Sequence, residues 1–196
     1  DNLIVLAYRD AGPPTVLARR AGHPQVFARL ETTYLAGAYR LDPFFELHLT
    51  RAADGAYRVR DIQPDAFQRS RYFLEYFGAT TLIDEIAFVA RLSEGLSLNL
   101  CLGRDASSGR AFGPGEVAAC QRIAPVIAAL ARTEWRDLDA SEGPGEDTPT
   151  LLIAAAGRQG IALSPRQAEV ALLILRGHSS GSIGLRLGVS PQTVKV

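Results

Sequence analysis

The chain has 196 residues, 47% of them hydrophobic, with 21 basic and 21 acidic side chains. That length and apolar content suit one large domain or two modest ones with a real core. No apolar run reaches the ~20 residues of a membrane helix and no signal peptide is visible. Cys101, Cys120 and the scattered His23, His48 and His178 offer no zinc spacing, so a reduced, cytoplasmic protein with no metal or cofactor is expected.

Leu3–Tyr8 (LIVLAY) is a buried-strand run, and Gly12-Pro13-Pro14 turns the chain into a second strand over Thr15–Ala18. Phe27–Arg40 spaces Phe27, Leu30, Tyr34, Leu35 and Ala38 as a helix does. Asp42 and Pro43 then cap and start another helix, with Phe44, Leu47 and His48 facing inward. Tyr57–Arg60 alternates like a short half-buried strand. Pro64–Phe77 reads as a helix carrying core residues Phe67, Tyr72, Phe73 and Phe77. Thr81–Arg91 and Leu96–Arg104 are strands about a Ser93-Glu94-Gly95 turn, and Asp84 and Asn99 read as outward positions of a one-sided sheet. Adjacent Asp84 and Glu85 point to opposite faces and cannot serve one substrate. Cys101 reads as inert strand packing. The longest helix opens at Gly113-Pro114-Gly115-Glu116 and runs to about Leu138, bent at Pro125. Its apolar face includes Val117, Cys120, Ala124, Ile127, Leu130 and Ala131. Ser141–Pro149, without an apolar residue, reads as a linker, and Leu151–Ala156 as a short helix. No nucleophile–base pair or phosphate loop stands out, so an enzyme is not expected.

The last 34 residues carry the sharpest local signals. Ser164, Pro165 and Gln167 spell a helix start with a capping box, Val170, Leu173 and Ile174 follow at helical spacing, and Gly177 ends the run. Ser179 or Ser180 opens a second short helix with Ile183 and Leu187, Gly188 turns the chain, and Ser190-Pro191 start a third: a helix-turn-helix pattern. From Thr150 onward Arg158, Arg166, Arg176, Arg186 and Lys195 stand against Glu169 alone, so a basic tail follows an acidic body, as suits nucleic-acid binding by the tail. The chain lacks methionine and stops at Val196 in the first turns of the third helix, which reads as a piece of a longer protein.

Leu163, Pro165, Arg166, Glu169, Val170, Gly177, Ser179, Ile183, Leu187, Gly188, Ser190, Pro191, Thr193, Val194 and Lys195 align without a gap with the pattern of LuxR-type DNA-binding domains, which this stretch resembles. The resemblance implies that Thr193 contacts phosphate, that Lys195 and Val196 face the major groove of a promoter with Ser190 and Gln192 beside them, and that Val194 is core. Ser180, Gly181 and Ser182 stand where that family has strong helix formers, and Gly184 where it has alanine, so a frail second helix is expected.

The order of elements upstream resembles a GAF- or PAS-like sensor. The expected fold is thus α+β, an antiparallel sheet covered by helices (residues 1–139), a linker (140–149) and a small all-α helix-turn-helix domain (150–196). Tyr34, Tyr39, Asp42 and Pro43 also resemble the tyrosine-and-DP segment of acyl-homoserine-lactone receptors, although that segment's tryptophan is absent. An apolar or amphipathic ligand would meet Tyr34, Tyr39, Asp42, Phe44 and Tyr72, with Phe88 and Leu100 as its floor. The rival is a packed aromatic core serving as a dimerisation scaffold. A homodimer is expected on the longest helix, with Val117, Cys120 and Ile127 toward the sheet and Ala128, Ala131 and Trp135 toward the partner. The expected function is a DNA-binding transcription regulator with a sensing or dimerising front domain. The alternatives are an interaction module with a non-functional helix-turn-helix, and a lactone receptor.

Overall fold

A computed structural model describes residues 2–138 and 147–194. Its centre is a five-stranded, fully antiparallel sheet in the order β2-β1-β5-β4-β3. The hairpin β1 (Asn2–Arg9) and β2 (Thr15–Arg20) forms one edge. The short α1 (Pro43–Leu49) follows, then β3 (Gly55–Arg58), the one-turn α2 (Val59–Ile62) and α3 (Arg71–Glu75). The long hairpin β4 (Leu82–Ser93) and β5 (Leu96–Asp105) completes the sheet, and α4 (Pro114–Glu134) covers its second face. Four more helices close the chain: α5 (Thr148–Arg158), α6 (Pro165–Arg176), α7 (Ser180–Leu187) and α8 (Pro191–Val194). No helix among the described residues is long and apolar enough to cross a membrane.

The α+β class and the antiparallel sheet match the expectation, but two predicted helices do not form as such. The stretch read as Phe27–Arg40 is broken into short turns, Pro24–Phe27, Leu30–Tyr34 and Ala38–Leu41. Val26, Leu30, Tyr34 and Tyr39 are all buried, at spacings that no single helix face supplies. Pro64–Phe77 likewise divides, with Ser70 capping α3 by accepting the Phe73 N–H at 3.0 Å. In both cases burial of large rings overrides helical periodicity. Asp42 does cap α1, accepting the Phe44 N–H at 2.8 Å. Most of the expected linker lies outside the described residues, and α5 begins at Thr148, capped by Asp147.

The sheet is covered on both faces, which corrects the reading of Asp84 and Asn99 as outward positions. Asp84 is fully buried beneath α4, where it accepts from the Arg58 guanidinium at 2.7 Å and from the Phe112 N–H at 2.9 Å. Asn99 is buried on the opposite face, below α1, and donates to the Phe44 carbonyl. The α4 assignment also changes. Ala128 and Ala131 are buried against Ala7, Ala90, Leu96 and Leu98, with Trp135 packed alongside. The exposed stripe is Ile123, Val126 and Leu130. Small residues let the helix approach the strands closely, so the alanines face the sheet and the branched residues face out.

Candidate functional site

Residues from several elements on one side of the sheet meet in an aromatic cluster. Tyr8 comes from β1, Tyr34 from the turn before α1, Asp42 and Phe44 from the start of α1, Tyr72 and Tyr76 from α3 and its end, and Glu85 and Cys101 from β4 and β5. The Tyr34 hydroxyl donates to Asp42 Oδ2 at 2.6 Å and hydrogen-bonds the Tyr8 hydroxyl. Tyr34 and Tyr76 have ring centroids 4.9 Å apart, and Tyr72 lies 5.7 Å from Tyr76. Together these residues line a cavity of about 20 Å³, room for roughly one water molecule.

Four of the six residues expected at a ligand, Tyr34, Asp42, Phe44 and Tyr72, are brought together here. Tyr39 packs edge-on against Tyr34 and sends its hydroxyl to the Gly12 carbonyl at 2.9 Å. Phe88 does not join them. It pairs with Leu100, one residue out of phase with the Ala87–Cys101 pair that faces the cluster. Strand alternation therefore sends Phe88 and Leu100 to the α4 face, and Glu85 and Cys101 supply the floor instead. Sequence reasoning missed Glu85. The signal was present: an acid in a strand two residues before Ala87, on the face that the aromatic residues must cover.

Burial sets the electrostatics. It raises the Asp42 carboxyl to about 6, despite the hydrogen bonds from Tyr34, Phe44 and Tyr72. It raises Glu85 to about 8, helped by the charges of Asp42 and Asp84, while the Cys101 thiol hydrogen-bonds the Glu85 carboxyl. The Cys101 thiol is itself pushed up by burial, so it carries little thiolate. Beside the cluster, His48 Nδ1 lies 2.8 Å from Ser97 Oγ and Nε2 3.1 Å from Asp10 Oδ1. The spacing imitates a hydrolase relay, but Ser97 is fully buried and no substrate can reach its hydroxyl.

The tail helices form a second site. Ser164 and Gln167 make the capping box of α6, and Gly177 ends it at φ +93°. Ser179 caps α7 and Gly188 ends it at φ +65°. Ser190 Oγ then accepts the Thr193 N–H at 3.2 Å at the start of α8. Leu173, Ile183 and Val194 form the small core. Ser190, Gln192 and Thr193 share the exposed surface of α8, while Lys195 and Val196 lie outside the described residues. Gly184 is not a weakness of α7. A Cβ there would stand 2.7 Å from the Val189 carbonyl oxygen, so the turn into α8 needs this glycine. At Gly181 a Cβ would meet only the Ser179 hydroxyl, at 3.7 Å.

This second site is docked on the first part of the chain. Glu46 of α1 holds Arg186 of α7 at 2.8 Å and is also ion-paired with Arg176 at the end of α6. Asp65 accepts the Ser179 N–H, the cap of α7, at 3.0 Å. The Ala66 N–H donates to the Gly177 carbonyl at 2.9 Å. A Cβ on Gly177 would fall 2.8 Å from Ser70 Cβ, so glycine serves both the left-handed turn and the close approach. Glu46 and Asp65 were invisible to sequence reasoning because they act across the fold.

No protein-family model matches the chain. Among curated proteins it is similar to the "Putative HTH-type transcriptional regulator in exeN 3'region" of Aeromonas salmonicida, with 26% identity over 162 residues, covering 79% of this chain and 81% of that protein. Among solved structures, the crystal structure of the VqsR LBD domain from Pseudomonas aeruginosa superposes with a TM-score of 0.60 at 25% identity, covering 72% of this chain and 80% of that one. Escherichia coli SdiA reaches a TM-score of 0.45 at 17% identity over 100% of this chain and 73% of that one, a likeness too weak to build on. The chain thus shares the α+β fold of the VqsR LBD domain and is similar in sequence to a described transcriptional regulator.

Proposed function

We propose that the protein is a DNA-binding transcription regulator of LuxR type, in which the sheet-bearing part controls the C-terminal helix-turn-helix. The observation that carries this reading is the run of caps and turns from Ser164 to Thr193, which sets α7, the Gly188 turn and α8 in the order of a DNA-reading unit. The regulator relative from Aeromonas salmonicida supports it. Ser190, Gln192, Thr193, Lys195 and Val196 are the proposed DNA contacts. In such a unit the first helix crosses the phosphate backbone, so Arg186 and the capped start of α7 are backbone-facing groups. Glu46 and Asp65 occupy them here. The docked arrangement is therefore a low-affinity state, and release of the tail is the controlling step.

Binding of the intact protein to its own promoter, measured by gel shift, tests the function. Lys195→Ala is expected to weaken it by about 1–3 kcal/mol. No shift at low salt, by a protein verified as folded, would favour the alternative of an interaction module. A second reading, a lactone receptor, draws on the Tyr34–Asp42 hydrogen bond and the VqsR LBD fold. The 20 Å³ cavity speaks against it, because ligand pockets of this kind span about 300–1,000 Å³. Assembly through the exposed Ile123, Val126 and Leu130 of α4 is proposed in place of the earlier alanine face. Light scattering that finds only monomer at high concentration would remove it.

A further inference from the structure

One cleft large enough for a small molecule lies on the seam between the two parts of the chain, while a larger one of about 660 Å³ lies within the tail, along α6 beside Val189, Thr193 and Val194. The aromatic cluster encloses about 20 Å³, whereas a cleft between α3, α5, α6 and the turn at Gly37 holds about 520 Å³. That volume falls within the range that takes a small organic ligand. We infer that this cleft binds an amphipathic anion: one aliphatic chain of medium length with a single negative head group. The inference rests on the docked arrangement of the tail and not on DNA binding.

Two independent features specify that ligand. The first is half-covered aliphatic surface. α5 carries Leu151, Leu152 and Ile153 followed by three alanines, yet none of its residues is buried. Leu152 of this helix lines the cleft together with Leu41, Leu172 and Leu175, which gives an aliphatic wall with no aromatic ring on it. Such a wall fits a flexible hydrocarbon better than a flat ring. The second is charge. Arg40, Arg71 and Arg158 stand around the cleft, and among the described residues that line it Glu75 is the only acid. Glu75 is already paired with Arg71 at 2.7 Å, while Arg158 makes no ion pair or hydrogen bond among the described residues. A net positive rim beside an apolar wall matches a head group of one negative charge. Arg40 also ties the seam together. Its guanidinium donates to Thr148 at the start of α5, and its carbonyl accepts from Arg176 of α6. A ligand seated there contacts the front part through Arg71 and the tail through Arg158, so it fastens one to the other.

Isothermal titration of the intact protein with decanoate, decanol and decyltrimethylammonium, each below its micelle concentration, tests the site. Decanoate is expected to bind at least about tenfold more tightly than the neutral and cationic chains. The charge-reversed Arg71→Glu/Arg158→Glu double variant should lose that preference, and because both side chains are on the surface its fold is checked simply by its melting curve. A core variant, Asp42→Asn, should bind decanoate as the wild type does. Equal binding of all three chains, no binding of decanoate at millimolar concentration, or loss of binding in Asp42→Asn but not in the arginine variant would each overturn the site.

Discussion

Residues 163–194 and residues 24–80 are built by opposite rules. In the tail, each boundary is marked by a residue whose own side chain or backbone makes it: Ser164, Gly177, Ser179, Gly188 and Ser190. In the front part, short irregular turns hold Val26, Leu30, Tyr34, Tyr39, Phe67, Tyr72 and Phe77 wherever the sheet has room for a ring. Local chemistry specifies the first region and shared burial the second. Removing one buried ring should therefore cost several times more than removing one cap. Tyr72→Ala is expected to lower stability by about 3–5 kcal/mol, against about 1 kcal/mol for Ser164→Ala, both read by urea unfolding. Equal losses would erase the contrast.

The next largest effect sharpens the comparison through pH, because among the described residues only the front part buries acids without a nearby cation. Folded Glu85 keeps its proton to about 8, while the unfolded chain releases it near 4.5. Across that window the folded state binds more protons, so stability falls as pH rises. Below about 6.5 His48 opposes the trend, since burial lowers it to about 4 and the unfolded chain takes up its proton first. Between pH 6.5 and 8 Glu85 dominates, and stability should fall by about 2 kcal/mol. Glu85→Gln should flatten that slope. A flat wild-type profile, or an unchanged slope in the variant, would contradict the buried carboxyl.

The smallest effect distinguishes two glycines three residues apart in the tail. Gly181→Ala should stabilise by about 0.5–1 kcal/mol, as alanine does in an open helix position. Gly184→Ala should destabilise by about 1–3 kcal/mol, because its methyl group meets the Val189 carbonyl. Changes of the same sign, measured by thermal unfolding, would show that the turn into α8 is looser than described.

These contrasts also mark how far the sequence was legible. The helix starts in the tail could be read, with Ser179 or Ser180 left open for α7, because each serine acceptor and its N–H donor lie three residues apart. The β4–β5 hairpin could be read from its length and its turn at Gly95. Asp84 and Phe88 were misplaced because a second covered face depends on α4, which the strand's own pattern does not reveal, and Asn99 because its partner, the Phe44 carbonyl, lies far away in sequence on α1. The inward face of α4 was misjudged because alanine carries a weak hydrophobic signal but gives the closest packing. Gly184 looked like a defect until its neighbour in space was known. Glu46 and Asp65, the acids on which the docked state depends, sit in ordinary surface patterns and are defined only by what they touch.

On the proposed reading, the front part holds α6 and α7 through Glu46 and Asp65 and so keeps the tail from DNA. Fluorescence anisotropy with the intact protein and promoter DNA, titrated over a range of salt, tests it directly. The Glu46→Gln/Asp65→Asn double variant is expected to bind about tenfold more tightly than the wild type, with a steeper salt dependence, since freeing Arg176 and Arg186 adds roughly one counterion each. Binding of unchanged strength and unchanged salt dependence would contradict the docked state as the control on DNA binding.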